Sequence, residues 1–129
     1  MIKMRNLLSK REGFTLLEVL ISMSVLSMGL LGVAAMSVYV SQGNAQARKV
    51  TAATVLAQSQ LEAFKDMAYA SITTGSDSNN PVDESGNAGG IYTRTWTVTD
   101  NVPYANVKKV ECTVSWGSDS ISLYTLIAR

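Results

Sequence analysis

The sequence predicts an α+β fold. A long N-terminal helix, membrane-spanning in its first half, packs its second half on a small three-stranded antiparallel sheet. Three observations carry this. From Val19 to Ala47, 29 consecutive residues are uncharged; as a helix they reach about 43 Å, more than the roughly 30 Å of a bilayer core. From Val50 to Ala68 apolar residues recur by threes and fours, the spacing of a single helix face. From Ile91 onward β-branched and aromatic residues alternate with polar ones, the pattern of strands with one buried face.

Residues 1–13 form a short basic leader carrying Lys3, Arg5, Lys10 and Arg11 against Glu12. Basic residues ahead of an apolar segment mark its cytoplasmic side. The remaining chain carries seven basic and nine acidic side chains, net −2, and is expected outside the cytoplasm. The leader is not an ordinary secretory signal, because the apolar part is too long and no small-residue cleavage site follows. Residues 14–40 form the transmembrane helix. Ser22, Ser24, Ser27, Gly29, Gly32, Ala34, Ala35 and Ser37 recur along it, and small residues let helices approach closely in lipid. Glu18 stands out in this segment. A carboxylate at the bilayer centre costs about 2.5–3.5 kcal/mol, so a charge partner is expected.

Residues 41–129 form the globular part. Its helix, 41–69, turns Val50, Ala53, Leu56, Ala57, Gln60, Leu61, Phe64 and Ala68 to one face. Arg48, Lys49, Gln58, Glu62, Lys65 and Asp66 supply polar positions. No proline falls between Phe14 and Ile72, so one helix of about 84 Å is allowed. Residues 73–90 are loop by composition; Asp77, Asp83 and Glu84 lack the regular oxygen spacing of a calcium loop. Strands follow at 91–99, 107–116 and 121–128, with a turn at 117–120. Val110, Cys112, Val114 and Trp116 share one face, as do Ile121, Leu123 and Ile127, and the helix stripe of 50–68 covers them. Trp96 and Trp116 read as core.

Composition bounds the chemistry. A net charge of +1 argues against a surface built for nucleic-acid phosphates. There is no histidine and one cysteine, Cys112, so neither the commonest general base nor an intrachain disulfide is present. No phosphate loop, nucleophile elbow, cofactor motif or metal cluster emerges, and the chain is not expected to be an enzyme.

Lys10-Arg11-Glu12-Gly13-Phe14-Thr15-Leu16-Leu17-Glu18, followed by an uncharged helix, resembles the class III signal of type IV pilins and of the pseudopilins of type II secretion. The resemblance implies cleavage between Gly13 and Phe14 by a membrane aspartyl prepilin peptidase and N-methylation of the new terminus at Phe14. Lys10 and Arg11 would hold the leader on the cytoplasmic face. Glu18 would neutralise the terminal amine of a neighbouring subunit, setting the axial register. The implied partners are the prepilin peptidase, other major and minor pilins, the inner membrane and the pilus assembly platform, and no cofactor is implied. The implied fold is the pilin lollipop.

Residues 53–72 and the ending from Lys108 to Arg129 look like PilV-type minor pilins, which help prime or modify a pilus used for adhesion, twitching or DNA uptake. Two departures point away from a major subunit: Ala35 replaces the usual helix-kinking proline, and Cys112 has no disulfide partner. The leader is long, and a start at Met4 would shorten it. The alternatives are a GspI-type minor pseudopilin and, from another class, an unprocessed single-span anchor whose 73–90 loop is a recognition site.

Overall fold

The computed structural model describes residues 13–129. In chain order it contains α1 (Leu16–Lys65), a short 3₁₀ turn (Tyr69–Ser71), β1 (Gly75–Ser76), β2 (Thr93–Asp100), β3 (Val107–Trp116) and β4 (Asp119–Ala128). The chain forms two compact units that divide between Gln42 and Gly43.

The first unit, over its described residues, is the N-terminal part of α1. Every residue from Gly13 to Thr51 is exposed. Two of its serine hydroxyls are satisfied inside the helix: Ser24 donates to the Leu20 carbonyl at 2.8 Å and Ser27 to that of Met23 at 2.7 Å. Back-bonding of this kind lets serine sit in an apolar helix without an orphaned donor.

The second unit packs the remainder of α1 on an antiparallel sheet of order β1-β2-β3-β4. The buried helix residues are Ala53, Leu56, Ala57, Leu61 and Phe64. They meet Val110, Cys112, Val114 and Trp116 of β3, joined by Ile72, Val82 and Tyr92. β3 alternates strictly between buried and half-buried positions along its length. Phe64 meets Trp96 edge to face at 5.4 Å, and Tyr92 meets Trp116 at 5.9 Å. Trp96 is half-buried and donates its indole N–H to the Thr73 carbonyl at 3.0 Å.

The sheet has four strands rather than the expected three. The added β1 is two residues long and pairs Gly75 with Trp96 and Ser76 with Thr95. Glycine suits the close approach there: a Cβ at Gly75 would press on the Trp96 indole at 3.2 Å. The helix also stops at Lys65 rather than Tyr69. No proline or glycine ends it. The chain leaves helical geometry so that Ile72, 1% exposed, enters the core, and Lys108 Nζ binds the Ile72 carbonyl at 2.9 Å. The turn after β3 is two residues, because Trp116 already pairs with Asp119, and Gly117 supplies the left-handed φ of +57° that its first position needs.

The long connection 77–92 is ordered by its own bonds. Val82 bridges to both Ala88 and Tyr92. Gly90 lies against this turn so closely that a Cβ would collide with the Val82 and Asp83 backbone.

Candidate functional site

The sequence directs attention to the start of α1. Gly13, Phe14 and Thr15 precede the helix, and Thr15 caps it. Its Oγ1 accepts the Glu18 N–H at 3.2 Å, and its carbonyl accepts the Val19 N–H at 3.1 Å. Thr15-Leu16-Leu17-Glu18 is thus a capping-box sequence whose threonine half is formed, satisfying one of the otherwise orphaned helix-start amides. The reading from sequence placed the helix start at Phe14 and gave Thr15 no role, although the Thr-x-x-Glu spacing was there to be read. Glu18 lies in the first turn, where negative charge also suits the positive end of the helix dipole. Among the described residues no cation lies within ion-pair distance of its carboxylate.

Phe14 is 82% exposed, and Leu16, Leu17, Leu20 and Ile21 are exposed with it. A side chain added at Gly13, Gly29 or Gly32 would meet open space. Among the described residues nothing demands glycine at those positions. Lys10 and Arg11 lie outside the described residues. By length and composition α1 is sufficient to cross a membrane.

Two of the three acidic candidates in the 73–90 loop, Asp77 and Asp83, are already engaged. Asp77 Oδ2 accepts Arg94 Nε at 2.6 Å, both side chains being largely buried. Arg94 Nη1 also reaches the Leu56 carbonyl at 3.0 Å and Ser59 Oγ at 3.4 Å. Asn80 completes the arrangement, accepting the Arg94 amide and donating to its carbonyl, each at 2.9 Å. Asp83 Oδ1 accepts the amides of Ser85 at 2.8 Å and Asn87 at 2.9 Å. These bonds, that of Asn87 foremost, hold its carboxyl below the ordinary carboxylate value. Among the described residues no three His, Cys, Asp or Glu side chains gather as metal ligands.

Cys112 is fully buried. Burial pushes its thiol up to about 11, partly offset by Arg94, so it is a core residue rather than a nucleophile. Lys108 is the buried cation that the sequence reading passed over. Besides Ile72 it faces the Tyr69 ring at 4.8 Å and Asp100 at 3.6 Å.

Residues 8–34 match the family model described as the prokaryotic N-terminal methylation motif. No curated protein and no solved structure matches the chain. The motif implies processing by prepilin peptidase, association with other pilins and anchoring in a membrane, and it indicates a structural protein. Over these residues the chain is similar to the class III signal of type IV pilin-like prepilins, and an exposed apolar helix continues it.

Proposed function

We propose that the chain is a minor pilin of the PilV type, a non-enzymatic subunit co-assembled to prime or modify a type IV pilus. The observation that carries this reading is the pairing of the methylation motif at residues 8–34 with a helix exposed from Gly13 to Thr51. That surface is not covered by the chain's own core and fits close packing against other subunits.

In this reading residues 1–13 are the leader, 14–40 the membrane and assembly helix, and 41–129 the periplasmic domain. Prepilin peptidase cuts after Gly13, which offers a backbone free of side-chain bulk. Cutting frees the amine of Phe14, which is then N-methylated. A cation at a helix start opposes the dipole. Glu18, one turn into the helix, supplies the compensating carboxylate to the amine of the adjoining subunit. In a medium of low dielectric that charge pairing offsets the cost of burying either group alone, and it fixes how far one helix advances past the next.

A second reading, a GspI-type minor pseudopilin, shares the same signal and helix. Shearing surface filaments from native cells and searching by mass spectrometry for a peptide that begins with N-methylated Phe14 separates the readings. Its presence in the sheared fraction supports the pilus subunit. Confinement to the membrane fraction supports the secretion pseudopilus. Chains retaining residues 1–13 throughout refute both and leave a simple anchor.

A further inference from the structure

β4 closes one side of the sheet, and its outer edge has no partner strand among the described residues. Sheet edges are ordinarily protected by charge, proline, a bulge or short length. β4 has none of these over its central span. It runs ten residues, pairs one-to-one with β3 throughout, and is uncharged from Ser120 to Ala128. The core also runs out toward this edge. Val110, Cys112 and Val114 of β3 are fully buried, whereas Ile121, Leu123 and Ile127 of β4 are only half-buried. Beside them lies an open groove of about 340 Å³, lined by Gln58, Leu61, Glu62 and Lys65 of α1 and by Leu123, Tyr124 and Thr125 of β4.

The charges that bracket β4 say what fits there. Asp119 opens the strand and Arg129 follows its last residue. Both share the helix-facing phase of Ile121, Leu123 and Ile127. An antiparallel copy of the same strand, in register about Tyr124, brings Asp119 of each chain opposite Arg129 of the other. The same register sets Ile121 opposite Ile127 and Leu123 opposite Thr125 on the helix side, and Tyr124 opposite Tyr124 on the outer face. Asp119 Oδ2 already accepts Gln46 Nε2 at 2.9 Å, which leaves its second oxygen for the guanidinium. Sliding the strands by two residues in either direction separates both charge pairs. We infer that the free edge of β4 binds β4 of a second copy, antiparallel and centred on Tyr124.

The two-fold axis of such a pair stands perpendicular to the sheet. It runs the α1 segments packed on the two sheets in opposite directions. The pair therefore joins copies that point oppositely, a contact between assemblies rather than within one parallel array.

Opposed residues of an antiparallel pair lie about 4.5–5.5 Å apart at Cα, inside the disulfide range. Tyr124 is 65% exposed, so its replacement leaves the core intact, and buried Cys112 stays silent. The full chain in detergent, carrying Tyr124→Cys and mildly oxidised, is expected to give a disulfide dimer on a non-reducing gel. Leu126→Cys alone is expected to stay monomeric and to cross-link only when mixed with Ser122→Cys chains. Tyr124→Lys, which sets two cations face to face and also removes the ring that Lys109 Nζ faces at 5.0 Å, is expected to abolish dimer in sedimentation while leaving the circular dichroism spectrum of the folded chain unchanged. A Tyr124→Cys chain that stays monomeric, or Leu126→Cys chains that cross-link among themselves as readily, would overturn the pairing.

Discussion

Replacing Asp77 with asparagine tests what fastens the long 77–92 connection to the helix and sheet. The Arg94 and Asp77 side chains are 11% and 18% exposed, and their atoms meet at 2.6 Å. The guanidinium sits between α1, through the Leu56 carbonyl, and the connection, through Asp77. Removing one partner of a buried pair costs about 3–5 kcal/mol because the other charge stays buried uncompensated. Asp77 keeps some solvent, so the lower figure applies, about 3 kcal/mol. For a unit the size of Gly43–Arg129, that corresponds to a fall in unfolding midpoint of about 12–24 °C. Trp96 and Trp116 both lie in this unit, so tryptophan fluorescence of the full chain in detergent reads its melting directly. The double variant Asp77→Leu/Arg94→Met exchanges the pair for apolar volume and is expected to recover most of the loss. A midpoint shift below about 3 °C for Asp77→Asn would place the pair with ordinary surface ion pairs and refute the reasoning.

Three further outcomes are expected. Glu18→Gln keeps the shape of the side chain and removes its charge. It should leave the chain in the membrane but lower its share in sheared filaments roughly tenfold or more, matching the about 1.5–3 kcal/mol of a hydrogen bond to a charged group; an unchanged ratio of the N-methylated Phe14 peptide between fractions would end the pairing idea. Gly90→Ala forces a methyl into the Val82 backbone and should destabilise by about 1–3 kcal/mol, read as a lowered denaturant midpoint, whereas Gly43→Ala, in open space on α1, should not. The third outcome concerns alkaline pH. Burial raises the Cys112 thiol from 9.0 to about 11 and moves the Tyr92 phenol above 10.0. Groups raised on folding stabilise below their unfolded value and lose that contribution as pH climbs through the folded one. These two groups should therefore leave stability level just below pH 9 and make it decline between about 9 and 11, with Cys112 resisting thiol reagents at pH 8; a flat chemical-denaturation profile from pH 9 to 11 would contradict the burial.

Much of the fold was legible because period and burial coincide. The alternation in Val107–Trp116 named the inward side of β3, and all four residues placed there are buried. The spacing of Ala53, Leu56, Leu61 and Phe64 named the packed helix face in the same way. What escaped depends on partners distant in the chain. Arg94 alternates in phase with Trp96 and Val98, so its inward position could be read, but the carboxylate that permits it lies 17 residues away. Lys108 likewise shares the phase of Val110, and its acceptor is a backbone carbonyl 36 residues back. β1 has no pattern of its own, since Gly75–Ser76 becomes a strand only by lying against Trp96. The helix end was missed because packing of Ile72, rather than any breaker residue, sets it. At the N-terminal site the motif pointed to Gly13, Phe14 and Glu18, while Thr15 needed the cap geometry to be recognised.

The exposed, internally satisfied first part of α1 bears on reversibility. Ser24 and Ser27 already bond carbonyls of their own helix and bring no unmet donor into whichever apolar surroundings they enter, which leaves Glu18 as the costly group of this segment. Lipid tails and the side chains of neighbouring helices are about equally apolar, so moving between them changes the hydrophobic term little. Under the proposed pilin reading, bilayer and fibre would act as two solvents of nearly equal quality for one solute. The balance between them would be left to close packing at Gly29 and Gly32 and to the Glu18 carboxylate. Forces of that size would let the subunit be drawn out of the membrane and returned to it intact.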